Sequence, residues 1–271
     1  MTHASLKDRV VLVTGASRGL GREMALELAG AGARLVLTGS AMTDALRAVE
    51  AQIDPDRVLA IAADVADPAA AAKAVAQAEE RFGRIDVLIN NAGRGMRLVS
   101  ESFNTVPTKF WETAPDAWAA IIAANVNGAF HMARAVTPGM IARGFGKIIN
   151  VSTSVPTMIR RGYAPYGPSK AALEAASRVW AQDLADTGVD VNIYLPGGAA
   201  DTDLLPPGPA KKGADGNLLP ADVMRRGVLW LCSDLSNGVT GGRFIARYWG
   251  DTDDATANAE AARDDAVLWP V

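Results

Sequence analysis

Cysteine and histidine are almost missing from this chain, with Cys232, His3 and His131 as the whole complement. A lone thiol cannot close an internal disulfide and fits a reducing compartment, so the cytoplasm is the expected location. Set between Leu231 and Ser233, just after Leu229 and Trp230, it reads as a buried, inert thiol. One thiol and two imidazoles fall short of the usual ligand set of a zinc site, and no metal is expected. Long apolar runs are missing too. No stretch of about 18 uncharged apolar residues occurs, and residues 1–10 hold no signal-peptide core, so no membrane contact is expected. Nor does one charge dominate: 27 Lys and Arg against 30 Asp and Glu leave a net −3. That balance supplies no field for a polyanion, and nucleic acid is not an expected partner. The pairs Arg160-Arg161 and Lys211-Lys212 read as solvated loop charges.

What is present is a rhythm. In 271 residues that are 49% hydrophobic, short apolar β-branched runs recur at 10–14, 34–38, 58–62, 87–90, 147–151, 189–195 and 243–246. Runs apolar along most of their length suit strands covered on both faces. Helical patterns fill the gaps. Leu20, Met24 and Leu28 repeat at helical spacing ahead of Gly30 and Gly32. Asp67 and Pro68 suit the N-cap and first position of a helix over 68–81, and Asp116 suits the cap of a helix over 117–135. Strands alternating with helices predict an α/β fold: a parallel, doubly wound sheet with right-handed crossovers. A single domain over 1–250 is expected, followed by an acidic, alanine-rich segment 251–271 that reads either as a frayed tail or as a docking arm. Two long loops stand out, 94–115 with Phe103, Phe110 and Trp111, and 202–220 with four prolines and three glycines. Loops of that length in a compact domain serve as lids, binding loops or oligomer contacts.

The first strand runs into Gly15, Ser17, Arg18, Gly19, Leu20 and Gly21. Glycines at a strand-to-helix turn let backbone N–H groups and the helix dipole meet a dinucleotide pyrophosphate. The second strand ends at Thr38-Gly39-Ser40 with no acidic residue to bond a ribose 2′-hydroxyl. Arg18 can pair with a 2′-phosphate and Ser40 can add a hydrogen bond, which favours NADP(H) and leaves NAD(H) open. Asp64 and Val65 after the third strand, and Asn91, Ala92 and Gly93 after the fourth, occupy the carboxyl-end rim where cofactors bind in open α/β sheets. Asp64 reads equally well as a turn residue.

Downstream, Tyr166 and Lys170 stand four residues apart, on one face of a helix. A free phenol titrates near 10, so acid–base work at neutral pH needs help from its surroundings, which Lys170 can give. Pro168 lacks an N–H and places Tyr166 in or just before the helix's first turn. Tyr163 has Gly167, not a lysine, at the same spacing and is set aside.

Residues 14–21 and 90–93, Asn125, residues 166–170 and Pro196-Gly197 together resemble the short-chain dehydrogenase/reductase family, in its single-domain branch. The resemblance covers nearly all of the chain up to about residue 250. It implies a three-layer, doubly wound Rossmann fold with a mostly parallel seven-stranded sheet, and a nicotinamide-dependent oxidoreductase acting on a carbonyl/alcohol pair, with Tyr166 moving the proton and Lys170 also holding the nicotinamide ribose. It implies a hydroxyl thirteen positions before the tyrosine, usually serine. That position is Thr153, a departure, with Ser154 as the alternative and Ser152 on the opposite face. It gives Asn125 a part in a relay to the lysine, although a buried asparagine bonding backbone is the other reading. Pro196, Gly197, Gly198 and Thr202 fall where the family contacts the carboxamide. Here Thr202 sits one position later than usual. A homodimer or homotetramer is also implied. Two rivals stay open: an NAD-preferring alcohol dehydrogenase, and a nucleotide-binding regulator without turnover.

Overall fold

A computed structural model describes residues 6–208, 211–213 and 216–264. His3 and the Leu268-Trp269-Pro270 end of the expected tail lie outside the described residues. Seven strands form one parallel sheet: β1 (Val10–Thr14), β2 (Arg34–Gly39), β3 (Val58–Ala62), β4 (Val87–Asn90), β5 (Gly146–Val151), β6 (Val189–Leu195) and β7 (Arg243–Ile245). Their order is β3-β2-β1-β4-β5-β6-β7. Every strand foreseen in the sequence is present, with ends shifted by a residue at β2, β5 and β7. The strands are apolar along most of their length because both faces are covered. One cluster of buried side chains takes Val11, Val13, Leu35 and Leu37, and a second takes Val10, Leu12, Val36 and Leu88.

The helices are α1 (Gly19–Gly30), α2 (Asp44–Glu50), α3 (Pro68–Phe82), α4 (Pro115–Ile122), α5 (Gly128–Arg143), α6 (Val155–Met158), α7 (Tyr166–Asp183), α8 (Arg225–Cys232) and α9 (Ala255–Ala262). Asp67 caps α3 as expected, its carboxylate accepting from the Ala69 amide at 2.8 Å. The foreseen Asp116 cap does not form. Pro115 takes the first position and Ala114 the cap, leaving Asp116 inside the first turn, where its charge still favours the helix dipole. The helix expected over 117–135 is also interrupted. Residues 123–127 form a π-helical turn between α4 and α5, and Asn125 lies in it. Residues 255–264 neither fray nor extend. Asp254 caps α9, Ala259 and Ala262 are buried in the first core cluster, and Arg263 bridges back to Phe244 of β7. No helix among the described residues is long and apolar enough to cross a membrane.

The strand order reverses between β1 and β4, so the turns after β1, β4, β5 and β6 open on a common rim. In doubly wound sheets that crevice is the ligand site.

Candidate active site

A cleft of about 1510 Å³ runs along this rim. Gly15, Ser17, Arg18, Gly19, Leu20, Ser40, Asp64, Val65, Asn91, Ala92 and Gly93 line one part of it; Thr153, Tyr166, Lys170, Pro196, Gly197, Gly198 and Thr202 line the rest. Gly21 and Asn125 lie behind the wall.

The turn after β1 is built for backbone proximity. Thr14 Oγ1 accepts from the amides of Asn91 (3.0 Å) and Ala92 (2.9 Å), while Asn91 Nδ2 donates to the carbonyls of Thr14 (2.8 Å) and Gly15 (3.1 Å). Gly15 has φ +64°, and a Cβ there would stand 2.9 Å from Ala92 Cα. At Gly21 a Cβ would meet Asn91 Nδ2 and the Gly15 carbonyl oxygen, so this glycine brings α1 against the turn. No side chain caps α1, whose N-cap is Arg18, and its first-turn amides are left for a ligand. Two buried hydroxyls in the cleft wall, Thr38 Oγ1 and Ser152 Oγ, also have no protein partner. These features fit a dinucleotide. Arg18 is 72% exposed and pairs with Asp203 at 3.4 Å across the cleft mouth. Asp64 is a turn residue in part, one oxygen accepting from the Ala66 amide at 3.0 Å, while the other lies 3.7 Å from Arg94.

At the other end, α7 begins at Tyr166, as Pro168 requires. The Thr153 side chain lowers the Tyr166 phenol, as a hydroxyl facing it would, so Thr153 rather than Ser154 is turned toward the tyrosine. Ser154 instead shares a 2.9 Å hydrogen bond with Thr157. Burial pushes this phenol up to about 12, against a smaller lowering by Thr153. The expected depression by Lys170 is not seen: burial dominates, Thr153 alone lowers the phenol, and Tyr163 raises it further. Lys170 is itself buried, which lowers its ammonium to about 8 despite the raising field of Glu174, and its Nζ donates to the Val151 carbonyl at 2.8 Å. Asn125 bonds both backbone and a side chain. It accepts from the Arg94 amide (2.8 Å) and donates to the Arg94 carbonyl (3.0 Å) and Ser169 Oγ (2.9 Å).

The two long loops meet over the cleft. Met96, Phe103 and Tyr163 form an apolar cluster with Tyr166 and Leu205 packed on it, and Arg97 donates to the Asp203 carbonyl at 2.9 Å. Phe103 therefore lines the cleft, whereas Phe110 and Trp111 stack edge-on against each other with 66% and 69% of their surfaces exposed. Tyr163, set aside in the sequence for want of a lysine, is a wall residue; its ring lies 5.5 Å from that of Phe103. Arg243 was also missed, because its partners are distant in sequence. No group of three or more His, Cys, Asp or Glu suited to a metal occurs among the described residues.

A family model described as short chain dehydrogenase matches residues 9–212. A short-chain type dehydrogenase/reductase of Picea abies is 36% identical over 208 residues, 74% of this chain and 73% of that protein. Two solved structures superpose with TM-scores of 0.76. One is a 3-ketoacyl-(acyl-carrier-protein) reductase from Brucella melitensis complexed with NADH, 29% identical and covering 88% of this chain and 96% of its own. The other is a gluconate 5-dehydrogenase from Burkholderia cenocepacia in complex with NADP and tartrate, 30% identical and covering 90% and 95%.

Proposed function

This chain belongs to the short-chain dehydrogenase family of NAD(P)-dependent oxidoreductases, and on that premise we propose that it is an NADP(H)-preferring enzyme of a carbonyl/alcohol pair. Gly15, Gly19, Asn91 and the start of α1 hold the dinucleotide, Arg18 and Ser40 meet its 2′-phosphate, and Lys170 holds the nicotinamide ribose. Bound there, the cofactor supplies or accepts the hydride. The chain's own work is done at the substrate oxygen. Thr153 holds that oxygen by a hydrogen bond, and Tyr166, protonated at neutral pH because burial holds it near 12, gives up its proton as the carbonyl is reduced. Lys170, one helical turn along, stabilises the phenolate left behind.

The observation that carries this reading is the meeting of Thr153, Tyr166 and Lys170 on the wall of the cleft that the glycine turn opens. Its test is Tyr166→Phe. Turnover of NADPH against an aldehyde, ketone and quinone panel should vanish while NADPH binding, followed by fluorescence titration, survives. Retained turnover refutes the assignment.

The NAD-preferring reading draws on the Arg18–Asp203 pair, which already engages the guanidinium. Charge-assisted hydrogen bonds are worth about 1.5–3 kcal/mol, so Arg18→Ala should weaken NADPH roughly ten- to a hundredfold and leave NADH unchanged. Equal losses for both cofactors would favour the rival. A cytoplasmic homodimer or homotetramer is part of the proposal, supported by Trp118, Phe130 and Val179, apolar side chains left exposed on α4, α5 and α7. Sedimentation equilibrium reads that state directly.

A further inference from the structure

Arg243 begins β7 with its side chain 1% exposed, and it faces Glu174, also 1% exposed. Its Nε donates to both carboxylate oxygens of Glu174 (3.2 and 3.1 Å), Nη2 donates to the Thr153 carbonyl (3.0 Å), and Nη1 pairs with Asp264. One guanidinium thus joins three segments distant in sequence. Glu174 lies one helical turn beyond Lys170 on α7, Thr153 lies just beyond β5, and Asp264 follows α9. The Asp264 amide also returns to the Arg243 carbonyl at 2.8 Å.

A buried ion pair is a poor device for stability alone, because desolvation offsets most of the attraction and an apolar pair would pack as well. What it gives is direction. The β5 ladder ends at the Val151–Tyr194 pair, so Thr153 stands beyond the last residue held by strand register. The Arg243 fork supplies the missing constraint on its peptide group. With that carbonyl fixed and χ1 stiff in a β-branched residue, the hydroxyl has a set aim toward Tyr166.

We propose that Arg243 is a positioning residue: it orients the Thr153 hydroxyl through that residue's carbonyl, and Asp264 makes this orientation depend on the C-terminal segment. The inference rests on the oxidoreductase reading above for the role of Thr153. It adds a part for residues 251–264 in building the cleft, whose wall includes Arg263 and Asp264.

Two variants of the full chain test it. Asp264→Ala leaves the Arg243–Glu174 pair intact; the double variant Arg243→Met with Glu174→Leu removes both buried charges together and so avoids stranding either. In each, kcat should fall about tenfold or more, since displacement of a reacting group by an ångström can reach a hundredfold. The KM for the dinucleotide should stay unchanged, and amide exchange over residues 152–155 should quicken with the melting temperature preserved. A packing role alone would shift melting and spare kcat. Unaltered exchange at 152–155 overturns the proposal whether or not the protein turns over, as does wild-type kcat in either variant. A wild-type chain inactive across the whole panel, with exchange still responding to Asp264→Ala, overturns the oxidoreductase reading and leaves the tether standing.

Discussion

Lys170 is a cation placed where cations are penalised. Burial lowers it from 10.5 to about 8, a gap worth roughly 3 kcal/mol at about 1.4 kcal/mol per unit. Below pH 8 both the folded and unfolded chains carry the ammonium, and the folded state bears the full penalty. Between pH 8 and 10.5 the unfolded chain binds more protons, so this residue's contribution to stability rises with pH. Lys170→Met should therefore match or exceed the wild type in thermal stability at pH 7, and lose that advantage as pH climbs through this window. Denaturant unfolding at stepped pH measures it; a wild type already the more stable at pH 7, with no convergence above pH 8, would contradict it. That Tyr166 and Lys170 share one helix was readable from their spacing. The direction of the tyrosine's shift was not, because desolvation depends on Phe103, Tyr163 and Leu205 closing over it, and those residues come from three separate segments.

At the level of elements, the turn from β1 into α1 is the most constrained piece. A Cβ at Gly21 would collide with both Asn91 Nδ2 and the Gly15 carbonyl oxygen, and backbone cannot yield as a flexible side chain would. Gly21→Ala should push the start of α1 off the turn, costing about 1–3 kcal/mol and at least tenfold in dinucleotide affinity. Gly30 sits at the other end of the same helix with nothing within 4 Å of its added Cβ. Gly30→Ala should be neutral or stabilising by about 0.5–1 kcal/mol. Thermal melts and fluorescence titration of the two variants give the comparison; similar losses in both would refute the steric account. The strands and the glycine turn were legible because their signals are local. The π-helical turn at Asn125 was not, since the Asn125 side chain there bonds Arg94 and Ser169, 31 and 44 residues away in sequence. The signals of α9 are present in the sequence, Asp254 as an N-cap and Ala255, Ala259 and Ala262 at helical spacing, although the acidic, alanine-rich composition reads as a tail or a docking arm.

Across the whole molecule, the two core layers share one sheet and neither belongs to one end of the chain. The cluster that holds Leu6 and Leu28 also holds Trp230, Trp249, Ala259 and Ala262. Far-ultraviolet circular dichroism and tryptophan fluorescence should accordingly report one coincident unfolding transition. An earlier fluorescence change would mark the C-terminal segment as a separate unit. The return of that segment matters beyond the cleft. A terminal strand displays unsatisfied backbone groups to any passing polypeptide, and natural sheets guard them against runaway association. Here β7 is only three residues long, and the antiparallel bridge from Arg263 to Phe244 already occupies its rim. The chain has supplied its own cover there, so sheet extension into a neighbouring molecule would have to begin from β3.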